Sequence, residues 1–301
     1  MKRPNLFLIG AAKCGTTSLY YYLKQHPDIF FPDHKEPHYF STDLQWRYRG
    51  TEFANLSEYL ALFQDATTQR WIGEASVWHL FSQDAAANIF EFDPAAKLIC
   101  ILRNPIDMMH SLYRFGFARG SENATSFQQA LELEPGRTDW DSVPRTLFLL
   151  NAVWYRQVCR FDQQVTRYLD RFPRENIKFL LFDDLKRDAH QVVRETFEFL
   201  DVDADVPIDL TNQNITSGLA RDRLQYLTRF APNLAHNAGR LVPAWAKRGL
   251  RRVLGRRRNE IPADGQKMPD ELRHALLEEY RPSIEATGEL IGRDLTSWLQ
   301  V

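Results

Sequence analysis

The spacing of hydrophobic residues predicts strands that alternate with helices over the first two hundred residues. Four short apolar runs are typical of strands buried in a sheet. They lie at Leu6–Ile9, Trp71–Val77, Lys97–Leu102 and Asn176–Phe182. Helical periodicity predicts helices over 17–25, 54–64, 83–91, 107–119, 126–134, 145–171 and 188–200.

This alternation is typical of a mostly parallel, doubly wound sheet with helices packed on it. We therefore predict an α/β, P-loop-like three-layer fold. The strand pattern ends near Asp201, and further helices are predicted over 218–229, 240–254 and 269–291. The prediction is a single domain over 1–301, with an α/β core over 1–200 and a helical C-terminal extension over 201–301.

Composition agrees with a soluble α/β domain. The chain is 44% hydrophobic and 13% aromatic, which is ample for a core. No apolar run approaches the length of about 18 residues that suggests a membrane span, and the short apolar stretch near the start does not resemble an export signal. Three cysteines without metal-ligand spacing favour reduced thiols in a cytoplasmic protein. They are Cys14, Cys100 and Cys159.

Charge is balanced overall but uneven along the chain. The net charge is -1, yet the segment 240–258 contains eight basic residues and no acidic residue. Two interpretations stay open: a basic amphipathic helix that contacts a membrane surface or an anionic acceptor, and a solvated helix face followed by a loop. No nucleic-acid recognition motif accompanies the segment, so a nucleic-acid partner is not expected.

The first strand leads into a glycine-bounded turn, Gly10-Ala-Ala-Lys13-Cys-Gly15-Thr16-Thr17-Ser18. A strand, a loop and a helix in this order offer backbone N–H groups to a phosphate. In nucleotide-hydrolysing P-loops, a lysine follows the second glycine and reaches the β and γ phosphates. Here Thr16 occupies that position and Lys13 precedes Gly15. The loop therefore predicts phosphate binding but does not imply a magnesium-bound triphosphate.

A second anion site is predicted where the strand 97–102 ends. Arg103 presents a fixed cation with a forked guanidinium, which suits a phosphate. Ser111, about two helical turns further on, could add a hydroxyl to the same group. Both this strand end and the loop lie past the carboxyl ends of predicted strands, where ligands of such sheets bind. A strand-end salt bridge is the alternative for Arg103.

These segments together resemble the sulfotransferases that use 3′-phosphoadenosine-5′-phosphosulfate. The resemblance is to the carbohydrate branch, which includes heparan sulfate sulfotransferases and bacterial relatives, and it covers most of the chain. Its motifs are the loop Gly10–Leu19, the stretch Gln25-His26-Pro27 with Lys35-Glu36-Pro37-His38-Tyr39-Phe40, the segment Leu102–Tyr113, and the segments Phe172–Leu185 and Gly292–Trp298.

The resemblance implies a nucleotide-binding core that needs no metal. It implies that the 5′-phosphosulfate is held by the loop and that the 3′-phosphate is held by Arg103 and Ser111. The loop residues concerned are Lys13, Gly15, Thr16, Thr17 and Ser18. Lys13 also neutralises charge that builds on the leaving phosphate.

Glu36 occupies the catalytic glutamate position of this resemblance. An acceptor hydroxyl must lose its proton during attack, so a general base is expected. Lys35 and His38 tend to lower the pKa of Glu36, and burial tends to raise it. A solvated salt bridge is the alternative for Glu36. His38 orients Glu36, contacts the acceptor or is merely packed.

The implied reaction moves a sulfuryl group to a hydroxyl of a carbohydrate or glycoconjugate. The alternatives are a small-molecule or natural-product acceptor, a P-loop kinase, and a nucleotide-binding or membrane-associated module built around 240–258. Two departures argue against a highly sulfated, heparan-like acceptor. The lysine frequent after Gly73-Glu74 is replaced by Ala75, where Ser76 forms a hydrogen bond or caps the strand, and Met108-Met109 stands where relatives often carry an arginine.

Overall fold

The computed structural model describes residues 2–47, 53, 55–211 and 267–300. A five-stranded sheet lies at its centre, and every strand pairing in this sheet is parallel. The predicted α/β class and the mostly parallel sheet are confirmed. The strands, in the spatial order β2-β3-β1-β4-β5, are β1 (Leu6–Gly10), β2 (Ile29–Phe30), β3 (Trp71–Ala75), β4 (Lys97–Leu102) and β5 (Ile177–Leu181).

Helices connect the strands and cover the sheet. Short 3₁₀ turns lie at Glu134–Gly136, Leu150–Val153, Arg174–Asn176 and Thr296–Leu299. The helices are α1 (Thr16–Leu23), α2 (Leu56–Ala61), α3 (Ala85–Phe92), α4 (Pro105–Ala118), α5 (Phe127–Leu133), α6 (Tyr155–Val158), α7 (Phe161–Leu169), α8 (Phe182–Arg187), α9 (Ala189–Phe199) and α10 (Asp270–Ile291).

The structure corrects the single helix predicted over 145–171. That segment contains a 3₁₀ turn and the separate helices α6 and α7, because the backbone leaves the helical region at Trp154 and Arg160. The start of the segment is held instead by the chain near Trp46, which forms an antiparallel bridge with Leu149. Asn151 Oδ1 also accepts the Gln45 N–H at 2.9 Å. These tertiary contacts override the helical periodicity.

Two further outcomes concern the predicted boundaries. Residues 29–30, which lie outside the four strands predicted from the sequence, form the short edge strand β2. The helix predicted over 269–291 is observed as α10, whereas those predicted over 218–229 and 240–254 lie outside the described residues. Among the helices that the structure describes, none combines the length and apolar character needed to cross a bilayer.

The core brings three strand ends to one edge of the sheet. All residues of β1 are buried, as expected of a central strand covered on both faces. Since β1 lies between β3 and β4 and all three are parallel, the segments that follow them emerge side by side. The glycine loop, Ser76 and Arg103 therefore lie at the same edge.

The start of α4 is fixed from two directions. Asn104 caps the helix, and its Oδ1 accepts the Ile106 N–H at 2.9 Å, while Pro105 occupies the first turn. The Asn104 amide also donates to the carbonyl oxygen of Trp298 at 2.8 Å. The C-terminal segment thereby anchors the turn that carries Arg103.

Candidate active site

The loop after β1 presents the first turn of α1 without a side-chain cap. Gly15 is the N-cap residue, with φ of 89° and ψ of 8°, so no side chain covers the first N–H groups of the helix. A Cβ atom at Gly15 would lie 3.0 Å from the ring of Phe182, so both conformation and space favour glycine. Thr16 is buried, and Thr17 and Ser18 are half-buried in this turn. A helix start of this kind favours an anion.

Two predicted cations lie together beside this helix start. Lys13 has φ of 63°, and its Nζ lies 4.1 Å from the centre of the Phe115 ring. Arg103 donates from Nη1 to the carbonyl oxygen of Lys13 at 3.4 Å and lies over the Phe182 ring. Within the described residues, neither cation forms an ion pair with a carboxylate. The alternative of a strand-end salt bridge at Arg103 is thus not observed there.

The electrostatics of Lys13 show how tightly the cations are grouped. Burial, Arg119 and Arg103 lower the pKa of Lys13 to about 8, while Glu36 acts in the opposite direction. Like charges held at a half-buried site repel one another, and a bound anion relieves that repulsion. The group therefore fits a phosphate or sulfate.

Glu36 lies on a turn beside the end of β3. Its Oε1 accepts from Lys35 Nζ at 2.7 Å, its Oε2 lies 3.6 Å from His38 Nε2, and about one third of its side chain is exposed. Burial raises the pKa of Glu36, but Lys35 and His38 hold this pKa well below its usual range. The carboxylate is therefore ionised at neutral pH, which is the form that can accept a proton.

His38 is a buried neighbour of this carboxylate. Its ring lies 4.8 Å from the Trp46 ring, and burial lowers its pKa although Glu36 favours the charged form. Nε2 faces Glu36, whereas Nδ1 forms no hydrogen bond within the described residues. The salt bridge expected as one alternative for Glu36 is present, and it holds the carboxylate next to an imidazole.

Comparison with known proteins identifies the family. The sulfotransferase domain family matches residues 3–219, which is more than two thirds of the chain. The chain belongs to this sulfotransferase family. This match confirms the resemblance to the sulfotransferases at the level of the family.

The curated relatives of this chain include two kinds of carbohydrate-modifying sulfotransferase. Carbohydrate sulfotransferase 15 of Mus musculus is 28% identical over 247 residues, covering 66% of this chain and 44% of the relative. The bifunctional heparan sulfate N-deacetylase/N-sulfotransferase 3 of Homo sapiens is 26% identical over 203 residues, covering 66% of this chain and 22% of the relative. The chain thus spans less than half the length of these curated relatives.

A solved structure covers this sulfotransferase completely. The sulfotransferase from Alicyclobacillus acidocaldarius is 31% identical and superposes with a TM-score of 0.74, over 100% of both chains. This likeness supports the α/β fold.

Two further residues of the site, Phe115 and Arg119, were not predicted from the sequence; Phe115 lies on α4 and Arg119 is its C-cap residue. Ser111, Phe115 and Arg119 are spaced by four residues, so they share one face of the helix. Phe115 contacts Lys13, and the guanidinium of Arg119 lies 4.0 Å from the Phe115 ring centre. This face therefore points toward the loop. The spacing of four from Ser111 could have identified the other two residues.

The remaining candidates of the sulfotransferase do not point to a metal or a reactive thiol. Within the described ranges, no group of three or more His, Cys, Asp or Glu side chains is arranged to hold a metal ion. Burial raises the pKa of Cys14 to about 12, and all three cysteines are free and buried. Asp183, in the motif segment Phe172–Leu185, accepts a hydrogen bond from Trp298 Nε1 at 2.9 Å and so connects this segment to the C-terminal one. The basic segment 240–258 lies outside the described residues.

Proposed function

We propose that this sulfotransferase transfers a sulfuryl group from 3′-phosphoadenosine-5′-phosphosulfate to a hydroxyl of a carbohydrate or glycoconjugate. The observation that carries the proposal is the pairing of two cations, Lys13 and Arg103, beside a glycine-capped helix start. Glu36 is close enough to affect the pKa of Lys13. An anion site and an ionised base therefore adjoin one another.

Each group has a distinct task in this proposal. The first N–H groups of α1, with Thr16, Thr17 and Ser18, hold the 5′-phosphosulfate, while Arg103 and Ser111 hold the 3′-phosphate. The donor supplies the sulfuryl group. Lys13 stabilises the negative charge that develops on the leaving phosphate.

Glu36 accepts the proton of the attacking hydroxyl. Its depressed pKa keeps it ionised, and His38 and Lys35 restrict its orientation. A low pKa also makes the carboxylate a weak base, so its contribution depends on close contact with the acceptor hydroxyl rather than on proton affinity. No step calls for a metal ion.

The donor is tested by calorimetry. Adenosine 3′,5′-bisphosphate should bind without magnesium, and binding should weaken in Arg103→Ala. Tight binding of ATP with magnesium, together with no binding of the bisphosphate, would instead favour a kinase.

The carbohydrate acceptor is supported by the names of the two curated relatives. A transfer assay with labelled donor against glycans, glycolipids, phenols and other small hydroxylated molecules tests it. Transfer to glycans is expected, whereas transfer only to phenols or natural products would support the alternative acceptor class. Peripheral membrane contact through 240–258 and a cytoplasmic location stay predictions, and liposome binding by a chain lacking 240–258 tests the first.

A further inference from the structure

The turn that carries Glu36 and His38 rests on a buried polar cluster at the end of β3. The cluster consists of Glu74, Ser76 and His79, which are all fully buried. Glu36 and His38 have φ of 64° and 52°, a region that residues other than glycine adopt at an energetic cost. Such a backbone persists only where its surroundings hold it.

Two backbone hydrogen bonds connect the turn to this strand end. The Glu36 N–H donates to the carbonyl oxygen of Ala75 at 2.9 Å. The His38 N–H donates to Ser76 Oγ at 2.9 Å. The bonds lie on either side of Pro37, so they fix the backbone before and after it and thereby the directions of the Glu36 and His38 side chains.

Ser76 is itself oriented by a buried carboxylate. Its hydroxyl donates to Glu74 Oε1, which leaves the lone pairs of the serine oxygen for the His38 N–H. Glu74 Oε2 lies 2.7 Å from His79 Nε2, and His79 Nδ1 lies 2.6 Å from Ser41 Oγ. When the proton of His79 is on Nε2, the imidazole donates to Glu74 and its Nδ1 accepts from the Ser41 hydroxyl. Glu74 then accepts from both Ser76 and His79.

We propose that Glu74, Ser76 and His79 are positioning residues that hold the Glu36–His38 turn in the geometry needed for proton acceptance. This inference rests on the proposed function, because it takes Glu36 to be the base. A misplacement of about 1 Å costs about 10²-fold in rate. Loosening the turn should therefore lower turnover, while the nucleotide groups after β1 and β4 keep their geometry.

Ser76→Ala tests this inference with a small change in volume. We expect kcat to fall about 10- to 100-fold, while the Kd for adenosine 3′,5′-bisphosphate and the KM for the donor stay within about twofold. Ser76→Thr keeps the hydroxyl and should recover most of the lost kcat. Ser82→Ala is the matched control, because Ser82 is also buried but bonds to Asp43 and to the Ala85 N–H.

Amide hydrogen exchange provides a readout that does not depend on activity. Protection over residues 36–41 should fall in Ser76→Ala and stay unchanged in Ser82→Ala. Unchanged protection in Ser76→Ala overturns the inference. This result counts whether or not transfer of a sulfuryl group is detected. The inference also fails if both variants lose the same fraction of kcat, because that result indicates general destabilisation. Failure of the unmodified protein to bind the bisphosphate contradicts the proposed function alone.

Discussion

At the ends of β1 and β4, Lys13 and Arg103 lie side by side without a carboxylate partner in the described structure, whereas beside β3 the carboxylates are paired. There Glu36 contacts Lys35, and Glu74 contacts His79. We name the edge with Lys13 and Arg103 the nucleotide side, after its proposed ligand, and the edge beside β3 the base side, after the proposed role of Glu36. The nucleotide side has an excess of positive charge that an anion can neutralise. The base side has its charges already satisfied by protein groups. The nucleotide side is therefore suited to binding an anion, and the base side is suited to holding one carboxylate in a fixed position.

The largest effect is expected from Lys13→Ala, which removes the cation nearest to the helix start. Turnover should fall about 10³-fold, because a group that stabilises transition-state charge is lost. Transfer of label from the donor measures it. Lys178→Ala serves as the control, since that lysine pairs with Glu195 on another part of the surface. Normal turnover in Lys13→Ala would show that Lys13 does not stabilise the charge on the leaving phosphate.

A smaller loss is expected from Glu36→Gln on the base side. Turnover should fall about 10²-fold, the lower end of general base catalysis, while affinity for adenosine 3′,5′-bisphosphate stays nearly intact. Kinetics and calorimetry on the same preparation separate the two quantities. Asp33→Asn, on the same connection and paired with Lys24, should leave both unchanged. Loss of nucleotide binding in Glu36→Gln would show that Glu36 contributes to the nucleotide site, and its assignment as the base would then be wrong.

Arg103→Ala distinguishes the two phosphate positions of the nucleotide. Affinity for adenosine 3′,5′-bisphosphate should fall about 30-fold, as expected when charged hydrogen bonds are removed. Affinity for adenosine 5′-phosphosulfate, which lacks the 3′-phosphate, should change little. Calorimetry with both ligands is the measurement. Equal losses for both would place Arg103 at the 5′ position instead.

The smallest effect is a dependence on pH that belongs to the nucleotide side. The pKa of Lys13 is lowered to about 8, so its charge is present below pH 8 and is lost as the pH rises. Affinity for the bisphosphate should therefore fall about tenfold between about pH 7 and 9, and Lys13→Arg should abolish this fall.

On the base side, the depressed pKa of Glu36 predicts no loss of kcat/KM through its protonation from about pH 7 to 5. A fall in kcat/KM at acid pH that Glu36→Gln abolishes would contradict that statement.

Motifs predicted much of the site because they are continuous in sequence. The loop around Lys13 and Gly15 and the strand end at Arg103 each contain their chemistry within a few residues, and parallel strand order places them at one edge. In the structure Arg103 and Glu36 both act on the pKa of Lys13, and Arg103 also donates to its carbonyl oxygen. Their catalytic and binding roles stay predictions.

Other features depended on contacts between distant segments. The sequence allows Ser76 either a hydrogen bond or a strand cap, and the structure shows that its oxygen accepts from the His38 N–H, 38 residues away in sequence. No motif includes His79, and nothing nearby in the sequence indicates that it pairs with Glu74 in the interior. The same reason explains the error over 145–171, where pairing with the chain near Trp46 interrupts a helical pattern.

The sequence by itself determined the family and the α/β architecture and predicted the phosphate-binding loop, because these depend on short-range periodicity and on motifs written in consecutive residues. Only the tertiary structure decided which charges are neutralised and which are not. Lys13 and Arg103 share a half-buried edge without a carboxylate in the described residues, while Glu36 is held by Lys35, His38 and the end of β3. Pairing of this kind is set by packing between segments far apart in the chain, which local pattern does not encode.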